Sequence, residues 1–239
     1  MTLGAETRVK LAQACRIIAN AGLAEDILGH VSLRTDDGIA IRCRGPRESG
    51  LLFTVADDIH EVITGVPLPG GYQAPNELLL HAEVMRIRPD AQSVVHAHAT
   101  SAVAADLAGI ALAPIVGAYN IPAMRMAARS IPVYPRSLLI NTDRLGHDVA
   151  SALGDAPALI LRGHGIITVG RTIEEAVVRA INIEILARMH VLASVNGDIS
   201  YRISDEDFAA TPDLGSTFND GYVWQHHLAR LAHAGLALT

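Results

Sequence analysis

The stretch Ser93-Val94-Val95-His96-Ala97-His98 limits the possible folds more than any other. It is an apolar run that leads into two histidines spaced i, i+2. In a β-strand alternate side chains share a face, so His96 and His98 point the same way. Two imidazoles on one strand face are half of a metal site. Taken alone, the pair also fits two ordinary polar residues near a strand end, and the rest of the chain has to decide.

A third histidine bears on that choice. Residues 158–170 read as two strands hinged on Gly163-His164-Gly165. A histidine between two glycines sits where the backbone can bend and approach another group closely. Alone it reads as structural; beside the His-x-His pair it completes a His₃ set. Three neutral imidazoles leave a divalent ion an open position, which is the catalytic rather than the structural pattern. Pro75-Asn76-Glu77 opens a helix running to about residue 88, with Asn76 as its N-cap and Pro89 beyond its end. Glu77 falls in the first turn, where the helix dipole favours a carboxylate. His81 lies one turn on, on the same face. Glu77 is either a common first-turn acid or a carboxylate aimed at whatever His96 and His98 hold.

The remaining segments frame these residues. Residues 5–21 have apolar side chains at helical spacing and stop at Asn20-Ala21-Gly22. Gly29 to Arg34 and Ile39 to Arg42 form a hairpin around Asp36-Asp37-Gly38. His30 and Ser32 share a face there, either the hairpin's polar outer face or a pocket wall. Arg42-Cys43-Arg44-Gly45-Pro46-Arg47 is the most cationic window. Its guanidinium forks suit a carboxylate or phosphate, unless the loop is merely solvated. Ile131-Pro132-Val133-Tyr134 reads as a short edge strand. Asn141-Thr142-Asp143 caps a helix to about residue 153, and Thr172 opens a long apolar helix, buried or at a subunit interface. The tail from Phe218 to His227, with Tyr222, His226 and His227, fits a subunit interface or a helix capping the protein's own core.

Composition narrows the partners. The 239 residues are half hydrophobic, with only 4% aromatic, so aliphatic side chains carry the core. The net charge of −6 and the lack of a basic stripe argue against nucleic acid. No apolar run reaches the ~18 residues of a membrane span. Two cysteines, Cys15 and Cys43, make no disulfide framework, and the polar N-terminus lacks an apolar signal core. A soluble cytoplasmic protein is expected.

Four blocks in order resemble the class II aldolase/adducin family across nearly the whole length: Gly29-His30-Val31-Ser32-x-Arg34; Asn76-Glu77 with His81; Val95-His96-x-His98; and Arg162-Gly163-His164-Gly165 leading to Val169-Gly170-Arg171-x-x-x-Glu175-Ala176. The resemblance implies an α/β three-layer α/β/α sandwich around a central, mainly antiparallel sheet. It implies one domain over 1–239, with residues from about 204 to 239 at a subunit interface of a homotetramer. It places one divalent metal ion per subunit, Zn²⁺, Mn²⁺ or Co²⁺, on His96, His98 and His164, with Glu77 as further ligand or acid/base. Adducin-type binding proteins of the family lack this set, so the resemblance implies an enzyme.

Within the family, the phosphate cradle of sugar-phosphate aldolases is altered here: His30 replaces an Asn, the arginine loop replaces a Thr-Pro-Ser-Gly-like loop, and Pro75-Asn76 replaces Ser-Ser. The Gly-His-Val-Ser and Cys-Arg-Gly-Pro-Arg blocks are more similar to the family's aromatic-acid decarboxylases. They imply a lyase acting on a small anionic aromatic substrate, a hydroxylated dicarboxylate whose hydroxyl and carboxylate the metal chelates. Glu77 and His30 are then the candidate catalytic residues. Arg44, Arg47, Ser32, Asn76 and Tyr119 are the candidate substrate contacts, with Tyr119 matching a tyrosine projected from a neighbouring subunit. The alternative is an aldolase or epimerase that forms an enediolate from a small hydroxy-carbonyl compound.

Overall fold

The computed structural model describes residues 3–214 and 217–238. Helix α1 (Ala5–Asn20) leads into the hairpin β1 (His30–Arg34) and β2 (Ile39–Arg42), then edge strand β3 (Ile59–Val62). Helix α2 (Leu78–Ile87) precedes β4 (Ser93–Ala97), α3 (Thr100–Leu107) and α4 (Ile121–Ala127). Strand β5 (Val133–Tyr134), α5 (Asp143–Leu153), β6 (Ala158–Leu161), β7 (Gly165–Gly170) and α6 (Ile173–Ala193) follow. Two helices close the chain, α7 (Asp205–Ala210) and α8 (Tyr222–His233).

The strands form one sheet in the order β3-β2-β1-β4-β7-β6-β5. Every pairing is antiparallel except β5 with β6, so the sheet is mixed but mostly antiparallel. Prolines at 132 and 135 flank β5 and lack N–H groups, which suits a two-residue strand at the edge. The hairpin turn closes where Thr35 accepts the Gly38 N–H on its hydroxyl, at 3.0 Å.

Strand side chains alternate between two apolar clusters. Val31, Val95, Ile160 and Ile166 join residues of α1, α3, α4, α6 and α8. Ile41, Val94, Leu159 and Ile167 join residues of α2 and α5. The strand ends nearest α2 carry the histidines on this second side. Caps fix the supporting helices: Thr142 accepts the Leu145 N–H and Thr172 the Glu175 N–H.

Helix α2 begins differently from the expectation. Glu77, not Asn76, occupies the N-cap position, with φ −98° and ψ 24° and no capping bond from its side chain. Both side chains are taken by partners outside the helix, Asn76 by Arg44 and Glu77 by the Ile140 amide. In the tail, α8 buries Trp224 and Leu231 in the cluster shared with α1 and α6. The Arg16 guanidinium holds the residues after α8, donating to the Leu236 carbonyl at 2.8 Å. Among the described residues no helix is long and apolar enough to cross a membrane.

Candidate metal centre

The register of β4 assembles the centre. His96 lies opposite His30 of β1 on one side and Ile167 of β7 on the other. The turn before β7 then carries His164 up to the β4 histidines. The ring centroids of His96, His98 and His164 form a nearly equilateral triangle with sides of 5.0, 4.9 and 5.0 Å. Glu77 completes the group: its Oε2 is 3.3 Å from His96 Nε2 and 3.8 Å from His164 Nε2. One ligand atom from each of the four residues lies within 4.8 Å of the others.

Glycines make the approach possible. A Cβ on Gly165 would sit 2.3 Å from the Ala97 carbonyl oxygen, so only glycine lets β7 start hard against β4 at His98. Gly163, at φ +55°, turns the chain into His164 from a backbone conformation that favours glycine.

Proton bookkeeping tests whether an ion fits. His96 Nδ1 lies 3.1 Å from the Ile166 carbonyl, an acceptor only, so Nδ1 carries the proton and donates it. Nε2 therefore presents a lone pair, buried and without a hydrogen-bond partner. It faces the Glu77 carboxylate, another acceptor. Two buried acceptors 3.3 Å apart repel unless a cation lies between them. The backbone bond from His96 is the outer support that metal-ligating histidines have. Glu77 Oε1 is held by the Ile140 N–H at 2.9 Å, which leaves Oε2 for the ion. These residues fit a divalent metal.

Protonation states agree. Burial would raise the Glu77 carboxyl, but contact with His96, the Ile140 amide and the nearby His164 hold it down at about 2. Burial and neighbouring imidazoles push His98 down to about 4 and lower His164 as well. Near neutral pH Glu77 is a carboxylate and His98 and His164 are neutral imidazoles, the ligating forms.

A polar shell backs the centre. His30 and Ser32 face inward, toward α2, not onto an outer hairpin face. The His30 ring lies 5.8 Å from both His81 and His96. Ser32 is fully buried, with Oγ 2.7 Å from His81 Nδ1 and 3.3 Å from the Val94 carbonyl. Burial, then the neighbouring His81 and His96, lowers the His30 pKa well below the ordinary range.

A cavity of about 120 Å³ opens on the centre beside His30, Glu77, His98 and His164. Arg42 and Arg44 line it too. The Arg44 guanidinium donates to Asn76 Oδ1 at 3.0 Å, so these two predicted contacts meet. Arg47 is exposed and lies outside the lining. Tyr119 is also not brought to the centre within this chain. It is 65% exposed on a short 3₁₀ turn, in a separate cavity of about 500 Å³ on the α6 and α8 side of the sheet. His226 and His227 line that same cavity, and Tyr222 is exposed. A larger cleft of about 660 Å³ lies at the far end of β7, around Gly170 and Arg171. Two of its arginines, Arg88 and Arg179, are engaged by Asp90 and Glu175.

Sequence reasoning missed the backbone partners, the Ile140 amide and the Ile166 carbonyl, because main-chain groups leave no trace in residue identity. It also passed over the aliphatic rim of the cavity, Ile27, Leu28 and Leu139.

Residues 9–191 match the family described as "Class II Aldolase and Adducin N-terminal domain". The chain is 48% identical over 233 residues to a 3,4-dihydroxyphthalate decarboxylase of Terrabacter sp. (strain DBF63), covering 95% of this chain and 98% of that protein. It is 46% identical over 237 residues to the 3,4-dihydroxyphthalate decarboxylase of Arthrobacter keyseri, covering 96% of each. Among solved structures, L-fuculose 1-phosphate aldolase from Glaciozyma antarctica PI12 superposes with a TM-score of 0.77 at 22% identity, over 96% of this chain and 91% of that one.

Proposed function

The chain belongs to the class II aldolase and adducin family, and from that premise we propose that it is a divalent-metal-dependent carboxy-lyase acting on a hydroxylated aromatic dicarboxylate of the dihydroxyphthalate kind. One observation carries this reading: a complete His₃–Glu group opens on a cavity lined by two guanidiniums. Relatives at 46% and 48% identity with that named activity support it.

His96, His98 and His164 would hold a divalent ion, with Glu77 beside it as further ligand or acid/base, and the ion would supply Lewis acidity and a template for the substrate hydroxyl and its neighbouring carboxylate. The protein's own groups do the rest. Arg44, steadied by Asn76, holds the second carboxylate. Glu77 is ionised, so it accepts the hydroxyl proton and returns it to the ring carbon that bears the leaving carboxylate. The bond to the carboxylate then breaks, CO₂ leaves, and its electron pair restores the aromatic ring as a phenolate that takes a proton from water. His30 orients the hydroxyl, and the Ser32–His81 pair beneath it holds His30 in place. Arg47 has no part within one chain, and Tyr119 acts only across a subunit boundary.

We read the two apolar clusters as the two sides of a three-layer α/β/α sandwich, one domain over 1–239. A homotetramer with sites at subunit interfaces fits the family, the exposure of Tyr119 and, within residues 204–239, the exposure of Phe218 and Tyr222. His₃ plus a carboxylate suits Zn²⁺, Mn²⁺ or Co²⁺. Cys15 and Cys43, buried free thiols, agree with a reducing cytoplasm.

The test is CO₂ release from a panel of hydroxylated phthalates and pyridine dicarboxylates, with and without a chelator. Chelator-sensitive release from at least one ring is expected. No release from any ring, with metal bound, transfers the assignment to aldol chemistry on a small hydroxy-carbonyl compound.

A further inference from the structure

The cavity over the metal centre has an aliphatic rim that no step above uses. Ile27, Leu28 and Leu139 line it, and they are 44%, 41% and 48% exposed. Large aliphatic side chains left open at the mouth of a polar site lose water-ordering surface only when something apolar covers them. The same cavity is also lined by Arg42 and Arg44. Arg42 is only 5% exposed, bonded to Glu48 through one nitrogen, and its Nε has no partner. Its charge is thus held at the cavity wall by burial, whereas Arg47 is left outside.

The cavity of about 120 Å³ is far smaller than the roughly 300–1,000 Å³ of drug-sized ligand pockets, so its scale is a single ring. Metal ligands, an aliphatic rim and two guanidiniums together match one molecule: a ring that is apolar on its faces and anionic on its edge. We propose that Ile27, Leu28 and Leu139 form a slot that selects a planar aromatic ring, with Arg42 joining Arg44 as the reader of the carboxylate remote from the metal. This deepens the proposed function and rests on it for the reacting molecule, but not for the slot's binding preference. A sugar phosphate would place hydroxyl groups against the aliphatic walls and leave them without partners, which costs affinity.

The test is calorimetric binding to the metal-loaded protein. The probes are phthalate, its non-planar counterpart cis-cyclohexane-1,2-dicarboxylate, and inorganic phosphate. Phthalate lacks the hydroxyls that the reaction needs, so it reports the slot separately from the chemistry. Phthalate is expected to bind at least tenfold more tightly than either competitor. Leu139→Asn and Ile27→Asn should each weaken phthalate about tenfold and abolish the preference for the planar ring, with metal content and melting temperature unchanged. Arg42→Lys, which keeps the charge but loses the fork, and Arg44→Gln should weaken phthalate more than benzoate. Equal binding of the planar and non-planar acids, tighter binding of phosphate, or asparagine variants that bind phthalate like the parent would overturn the slot. So would asparagine variants whose only effect is a change of sedimented mass, since the rim would then be covered by a second copy of the chain. If the slot behaves as expected while no hydroxylated phthalate loses CO₂, the slot stands and the proposed reaction falls. If CO₂ is released while the variants match the parent, the reverse holds.

Discussion

Gly165 has no room for a methyl group, and that lack of room is what brings His164 to His98. Gly165→Ala forces β7 off β4 at an overpacking cost of about 1–3 kcal/mol. A lower melting temperature and at least tenfold weaker metal binding are expected, read by scanning and titration calorimetry. A variant with the parent's metal affinity would show that the close approach does not matter. His98→Ala removes one of the proposed ligands, and elemental analysis should find less than a tenth of the parent's metal. Ser32→Ala leaves buried His81 Nδ1 without its partner, at about 1–3 kcal/mol. The metal should stay, while kcat falls and His30 loses its support; an unchanged kcat would remove Ser32 from the site. The grouping of Glu77, His96, His98 and His164 was legible in the sequence because imidazole spacing and a neighbouring carboxylate carry their chemistry in residue type. Which arginines line the cavity was not legible, because a cationic loop shows its charge but not which of its side chains turns inward.

At the scale of elements, hydroxyl caps were readable and main-chain partners were not. Thr142 and Thr172 both cap the helices they were expected to open. Thr172→Ala should cost about 1 kcal/mol, seen as a lower denaturant midpoint with an unchanged slope. The hairpin, the two strands around His164 and the edge position of β5 follow from turn residues and proline. Strand β3 escaped notice because Asp57 and Asp58 break the apolar pattern just before it. Among the described residues it pairs on one side only, with β2. The α2 start was misplaced by one residue for a chemical reason. Asn76 and Glu77 spend their side chains on Arg44 and Ile140, so neither caps the helix. An irregular start of this kind marks a segment shaped by its site and not by helix propensity.

Across the whole molecule, several histidines are folded in neutral form. Burial drives His81 down to about 3, and His98 and His227 to about 4, against an ordinary value of 6.5. Each binds a proton in the unfolded chain before it does so in the folded one. Their stabilisation is therefore complete above pH 6.5 and is lost as pH falls through about 4 and 3. Glu77, at about 2 against 4.5, adds to the loss in the same direction below pH 4.5. Melting temperature of the metal-free protein should fall steadily below pH 6.5, and less steeply in His227→Gln, which lies outside the metal group. A flat profile between pH 6.5 and 4 would contradict the buried neutral state. The proposed ligands come from positions 77, 96, 98 and 164, on the start of α2, on β4 and just beyond it, and on the turn into β7. That spread sets an order of events during synthesis. A ribosome that has delivered His98 must still add 66 residues before His164 exists, and β7 must dock before it arrives beside the others. An ion held by these four residues would thus complete its ligand set late, in a chain already folded around its place, and its binding energy would hold the finished sheet to α2.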